Sequence, residues 1–264
     1  MRTGTLWRIC PLDAANTLGC TGQPLRRINK RGNMRKYTIA AAALMAASTL
    51  ATPALAGNAD GRIQVKVLAT GVLPDGKITN VESSAVTLGA GTQTKANDNV
   101  VPTIAVEYFA TPNISVETIC CLTQHRVSGT AGSVAGVNVT GVDLVNHVLI
   151  LPATVTLKYH LNAGPIKPYV GVGPSVFFFI DEKPSAAAKS ALGITSTKLD
   201  NSFGVALQAG FDAPINDSGL GITVDAKKYF MDTKAHFNVG STEVLRTKHS
   251  LDPWVISGGV YYRF

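Results

Sequence analysis

The sequence predicts an all-β fold: an eight-stranded antiparallel transmembrane β-barrel with short periplasmic turns and long extracellular loops. Three observations predict it. Beyond residue 56, apolar residues recur at every second position in eight segments, and helical periodicity is scarce. The connections between these segments alternate between short and long, as in outer-membrane barrels. Finally, the unbroken face of the segments is apolar with aromatics near its ends, whereas the interrupted face carries Gly, Ser, Thr and the clear charges. A soluble barrel would put its greasier face inside, so here that face is expected to meet lipid.

The first element is a leader. Met34-Arg35-Lys36 precedes an uncharged run from Tyr37 to Leu50, and Ala54-Leu55-Ala56 then places small residues at the −3 and −1 positions before Gly57. Such a run is too short to cross a bilayer core of ~30 Å as a helix. Residues 34–56 therefore read as a secretory signal peptide, residues 1–33 as an upstream extension from a misplaced start, and residues 57–264 as the barrel. The leader also explains the formal charge of +7: eight of the 24 basic residues and one of the 17 acidic ones precede Gly57, leaving 16 of each. A neutral mature chain offers no nucleic-acid footprint. Cys10 and Cys20 leave with the leader. The remaining pair, Cys120-Cys121, points to opposite faces of a strand and suits neither a disulfide nor a metal site.

Eight strands follow. Ile63 to Leu73, Pro102 to Tyr108, Val116 to Leu122, Leu149 to Leu161, Val170 to Ile180, Phe203 to Phe211, Leu220 to Lys227 and Trp254 to Phe264 each alternate, although the seventh loses its phase near Lys228. Residues 110–113, 162–167 and 213–219 are short turns; 74–100, 128–147, 181–201 and 238–251 are long polar loops. Within the third of these, Pro184, a run of alanines and Gly193 mark a short helix. Closure of the sheet is required because an open edge in hydrocarbon leaves amides unpaired.

Alternation and strand direction then sort the interior by height. Glu107, Glu117, Lys158, His160, Asp212 and Arg263 face inward near the short-turn end, with Lys66, Asp225 and Lys227 somewhat higher, and these charges of both signs are expected to pair into a floor. Toward the loops the inward positions become Leu68, Val72, Ile119, Val148, Ile150, Phe177 and Phe179. Leu68, Val148, Ile150, Phe177 and Phe179 are the expected binding residues of an apolar vestibule. Eight strands leave a bore that side chains fill, which disfavours a wide aqueous pore. Pro152 and Pro174 lack ladder donors and mark either local bulges or a weakened seam.

Several stretches taken together resemble the OmpW family of outer-membrane proteins: LPATVTLKYHL (Leu151 to Leu161), IKPYVGVGPSVFFFID (Ile166 to Asp181), DAKKYFMDTKA (Asp225 to Ala235) and LDPWVISGGVYYRF (Leu251 to Phe264). The resemblance implies a narrow lumen, apolar toward the outside, that takes up small hydrophobic molecules in a Gram-negative outer membrane. The vicinal cysteines, the long first loop and Pro174 depart from the family pattern. Tyr262 and terminal Phe264 are similar to the signal read by barrel-assembly machinery.

The expected partners are thus outer-membrane lipid, that machinery and a small hydrophobic ligand, with no cofactor and no metal. A structural or adhesive barrel acting through its extracellular loops is the alternative. An enzyme is not expected, because His125 with Ser128 and His249 with Ser250 are fragments without a paired motif such as G-x-S-x-G.

Overall fold

The computed structural model describes residues 57–264; the upstream extension expected over 1–33 and the signal peptide expected over 34–56 lie outside them. In chain order the strands are β1 (Ile63–Leu73), β2 (Lys77–Ser84), β3 (Gln93–Ala96), β4 (Asn99–Phe109), β5 (Ile114–Cys120), β6 (Thr123–Ala131), β7 (Ser133–Val134), β8 (Val137–Asn138), β9 (Asp143–His160), β10 (Lys167–Pro184), β11 (Ser196–Leu199), β12 (Ser202–Pro214), β13 (Leu220–Val239), β14 (Thr242–Ser250) and β15 (Trp254–Arg263). One helix, α1 (Ala186–Leu192), lies between β10 and β11. Antiparallel ladders join β1 to β4 and β15, β4 to β5, β5 to β9, β9 to β10, β10 to β12, β12 to β13 and β13 to β15.

The eight-stranded expectation needs correction. The described residues hold fifteen strands, thirteen of them in one sheet and β7 with β8 in a separate two-stranded one, so the fold is barrel-like without being a plain eight-stranded barrel. The surplus comes from the stretches expected to be loops. β2 pairs with β14, β14 and β11 pair with the outer end of β13, and β3 and β6 continue the sheet beside the outer end of β9. A ladder standing in water needs no apolar outer face, so the alternation that reveals the other strands is missing there. In β14, for example, Arg246 and Lys248 alternate with the more buried Leu245, Thr247 and His249.

Lipid contact explains the outer face of the remaining strands. Val67, Ile104, Val155, Leu157, Val170, Val172, Leu207, Ile222, Ile256 and Val260 are exposed hydrocarbon, a distribution unfavourable in water and favourable in a bilayer. Exposed aromatics flank this band: Tyr108, Tyr159, Phe211 and Tyr262 at the short-turn end, and Phe178, Phe203, Phe230 and Trp254 at the other. From Tyr262 to Trp254 the chain rises about 26 Å along the strand, enough for a tilted strand to cross an outer membrane.

Proline disturbs two ladders. β9 and β10 pair at Leu157–Val172 and again at Thr154–Ser175, skipping Gly173 and Pro174; a Cβ at Gly173 would lie 1.8 Å from the Val155 carbonyl oxygen, so only glycine permits this approach. β5 stops at Cys120, opposite Ala153, and β6 resumes at Thr123, opposite Ile150, with Pro152 between them lacking an N–H. The β4–β5 ladder also ends there, at Ile104–Cys120, and Asn99 next bridges the two stretches by donating from its side-chain amide to the Gln124 carbonyl oxygen (2.9 Å).

Helix α1 forms where the Pro184, alanine and Gly193 signals place one. The Ser185 hydroxyl accepts from the Ala188 N–H (2.9 Å), and Gly193, at φ 67°, closes the C-terminus in the left-handed region that glycine favours.

Candidate functional site

The interior of the membrane-spanning part contains three chemically distinct layers. Toward the short turns, β1, β4, β5, β9 and β13 bring Lys66, Glu107, Glu117, Lys158, Asp225 and Lys227 into one buried cluster. Lys66 Nζ lies 2.7 Å from both Glu107 and Glu117, Lys158 Nζ lies 2.9 and 3.0 Å from the same carboxylates, and Lys227 Nζ lies 3.2 Å from Glu117 and 3.0 Å from Asp225. Gln208 donates to Glu117 (3.0 Å) and accepts from Thr156 (2.8 Å). His160 pairs with Glu107 at 2.8 Å, and Ser115 donates to the same carboxylate. Gln64 donates to Asp212 (3.2 Å), whose other oxygen lies 3.9 Å from Lys66.

Arg263 is not part of this pairing. Its guanidinium sits 3.6 Å over the Phe109 ring and donates to the Gly61 carbonyl (2.6 Å) at the lower end. The paired cluster holds three lysines and three carboxylates, each side chain buried and bonded to more than one partner, with Asp212 at its edge. That balance permits ions to sit in a dry interior, since an unpaired charge there would cost several kcal/mol.

Tyr169 was not singled out in the sequence, although its alternation with Val170 marks it as inward. Its ring lies 3.6 Å beneath Lys158 Nζ and 5.2 Å from that of Lys66, a cation–π shelf for the cluster. Tyr229 was missed because the phase of β13 was lost at Lys228; continuing the inward set of Asp225 and Lys227 would have found it. Its hydroxyl reaches Thr154 (3.4 Å), and Thr154 in turn meets Ser175 (2.7 Å), a neutral polar layer above the charges.

Above that layer lies a small apolar cavity, with a free volume of about 30 Å³. Phe177, Tyr229, Val255, Val72, Ile150 and Ile119 supply most of its wall, Cys121, Leu251 and three prolines add to it, and Thr123 and His125 are its polar members. Phe177 and Tyr229 hold each other at a ring separation of 5.2 Å.

The expected vestibule residues divide. Phe177 and Ile150 line the cavity, and Phe179 packs against the same apolar cluster from a partly buried position. Leu68 packs with Ala105 and Ile119 in a separate cluster. Val148 is buried on the outer part of β9, in register with His125. Of the terminal residues, Tyr262 is exposed to lipid, and Phe264 exchanges backbone hydrogen bonds with Ile63 (2.8 and 3.0 Å) while its ring lies 6.1 Å from that of Tyr262.

Comparison with known proteins fits this geometry. The family model described as the OmpW family matches residues 59–264. The chain belongs to the OmpW family. A relative in Sinorhizobium fredii, described as an uncharacterized outer-membrane protein, is 32% identical over 231 residues, covering 86% of this chain and 92% of that one. The Vibrio cholerae outer membrane protein W is 28% identical, with 87% of this chain and all of that one aligned. The crystal structure of outer membrane protein OprG from Pseudomonas aeruginosa superposes with a TM-score of 0.63 at 26% identity, covering 80% of this chain and 99% of that one. This OmpW-family chain is therefore a protein of the Gram-negative outer membrane, and its exposed apolar band is its contact with lipid.

Proposed function

We propose that this protein takes small hydrophobic molecules from outside the cell into its apolar cavity and passes them sideways into the outer membrane. The observation that carries the reading is the stacking of an apolar cavity above a layer of buried ion pairs, with only the neutral Thr154–Ser175–Tyr229 contacts between them. A molecule descending from the loops meets favourable apolar contact first and then a barrier it cannot cross without breaking buried salt bridges. Burying ~250 Å² of ligand surface is worth roughly 6 kcal/mol before the costs of association, which leaves weak, reversible capture suited to passage. In this reading the outlet is the wall at cavity height, where Cys121 lines the cavity beside the end of the β4–β5 ladder and Pro152 interrupts the neighbouring ladder.

Phe177→Gln tests the reading. The variant protein, in lipid vesicles, should remain folded by its heat-modifiable gel mobility and should lose most of its uptake of n-octane relative to the parent. Unchanged uptake would leave the cavity as packing and favour action through the loops. Tyr262 and Phe264 belong to the same proposal as the residues read by the assembly machinery, since they end the lipid-facing side of β15.

A further inference from the structure

The four long connections do more than cap the body. Backbone hydrogen bonds stitch each to the next: Ala85 N–H to the Val244 carbonyl joins first to fourth, Ala135 N–H to Thr87 joins second to first, Ser185 N–H to Leu144 joins third to second, and Thr195 N–H to Asn238 joins third to fourth, at 2.8 to 3.0 Å. The Ser185 hydroxyl, which caps α1, also donates to the Asp143 carbonyl (2.5 Å), tying the helix to the outer end of β9. The result is a ring of four connected loops.

A second apolar cavity, with a free volume of about 60 Å³, lies within that ring. Each connection contributes to the wall: Val86 from the first, Leu144 from the second, Ala188 and Leu192 of α1 from the third, and Leu245 from the fourth, with Phe237 at the outer end of β13. All eleven lining side chains are hydrocarbon or aromatic. Val134, Val139 and Leu144, with Val86 and Leu192 against them, pack into an apolar cluster that holds the loops together, and the cavity is the space this cluster leaves unfilled.

This cavity is distinct from the one in the membrane-spanning part, with which it shares no lining residue. Strand β14 and the residue after it show the spacing. Leu245 faces the loop cavity, Thr247 and His249 follow on the same face of the strand, and Leu251 lines the lower cavity. Six residues of extended chain separate the two linings by about 20 Å. The interval is polar: Thr247 Oγ1 meets His249 Nε2 (2.7 Å), and Thr94 donates to the Gly76 carbonyl (2.8 Å) beside that imidazole.

We propose that the loop cavity is a second binding site, on the cell-surface side of the membrane, for a small apolar molecule without hydrogen-bonding groups, such as a short alkane. The inference rests on the transport reading and deepens it: the loop site captures the molecule in the aqueous layer, and the Thr94–Thr247–His249 collar separates it from the lower cavity, so passage occurs in two steps.

The test is photolabelling of the full-length mature protein in nanodiscs with an eight-carbon alkyl diazirine, followed by mass-spectrometric mapping, with excess n-octane as competitor. Competable adducts are expected both on the segment containing Leu192, Phe237 or Leu245 and on that containing Phe177, Tyr229 or Val255. Ala188→Phe, which places a ring in the loop cavity, should reduce labelling of the first group at least tenfold and leave the second group labelled. Retention of the second group also reports that the variant is folded. Adducts confined to the lower cavity, or loop adducts that octane does not displace, would overturn the second site and leave the transport reading standing. Absence of competable adducts from both regions would overturn both.

Discussion

Glu117 is the most demanding test of the ion-pair layer, because three ammonium groups converge on its carboxylate. Lys66, Lys158 and Lys227 lie 2.7, 3.0 and 3.2 Å from it, and Gln208 donates to it as well. At an effective dielectric of ~20 each contact is worth roughly 5 kcal/mol. Most of that sum is offset by the cost of desolvating the carboxylate and by repulsion from Glu107, which shares two of the same lysines. What remains on removing one member of a buried pair is about 3 to 5 kcal/mol. Glu117→Gln keeps the size of the side chain and leaves the cluster with an excess positive charge, so the loss should fall at the upper end of that range. The assay is urea unfolding of the protein in phospholipid vesicles, followed by the gel mobility shift between native and unfolded forms. The double variant Glu117→Gln/Lys227→Met restores the balance and should recover at least half of the loss. A loss below about 1 kcal/mol for the single variant, the value of a water-screened surface pair, would refute the dry layer and with it the barrier beneath the cavity.

Three further outcomes are expected. Val155→Arg, on the lipid face and in register with Thr118, should cost about 2 to 4 kcal/mol in the same unfolding assay, while Val155→Leu should be nearly neutral. Burial holds the His249 imidazole below its ordinary pKa, so its neutral form favours the folded state: stability of the β2–β14 sheet should be intact above pH ~6.5 and fall as the medium is acidified below that value, visible as faster amide exchange in β14. His249→Gln should remove that dependence. Deleting Phe264 removes both backbone bonds to Ile63 and the final aromatic of the lipid face, and should lower the amount of heat-modifiable protein in the outer membrane several-fold relative to the parent, measured by immunoblot.

How much of this was legible beforehand depends on how local each feature is. In a strand, the identity of a residue and its parity decide which face it occupies, so the apolar outer positions Val155, Leu157 and Val170 and the inward charges Lys66, Glu107 and Lys158 could be read directly from alternation. The helix α1 was equally local, because Ser185 and Gly193 cap it within its own turn. Where alternation lacked an apolar partner the reading failed: β2, β3, β6, β11 and β14 have water on their outer side, and nothing in their composition separates a solvated strand from a polar loop.

By itself, then, the sequence determined which faces meet lipid, which residue types fill the interior and roughly at what height. Only the tertiary structure decided that Glu117 stands among lysines from β1, β9 and β13, that Tyr229 closes on Phe177, and that four connections far apart in the chain bond into a ring around a second cavity. The reason is physical: facing follows from a two-residue repeat of the backbone, whereas register and cross-loop pairing are set by hydrogen bonds and packing between segments separated by tens to hundreds of residues, which no local pattern encodes.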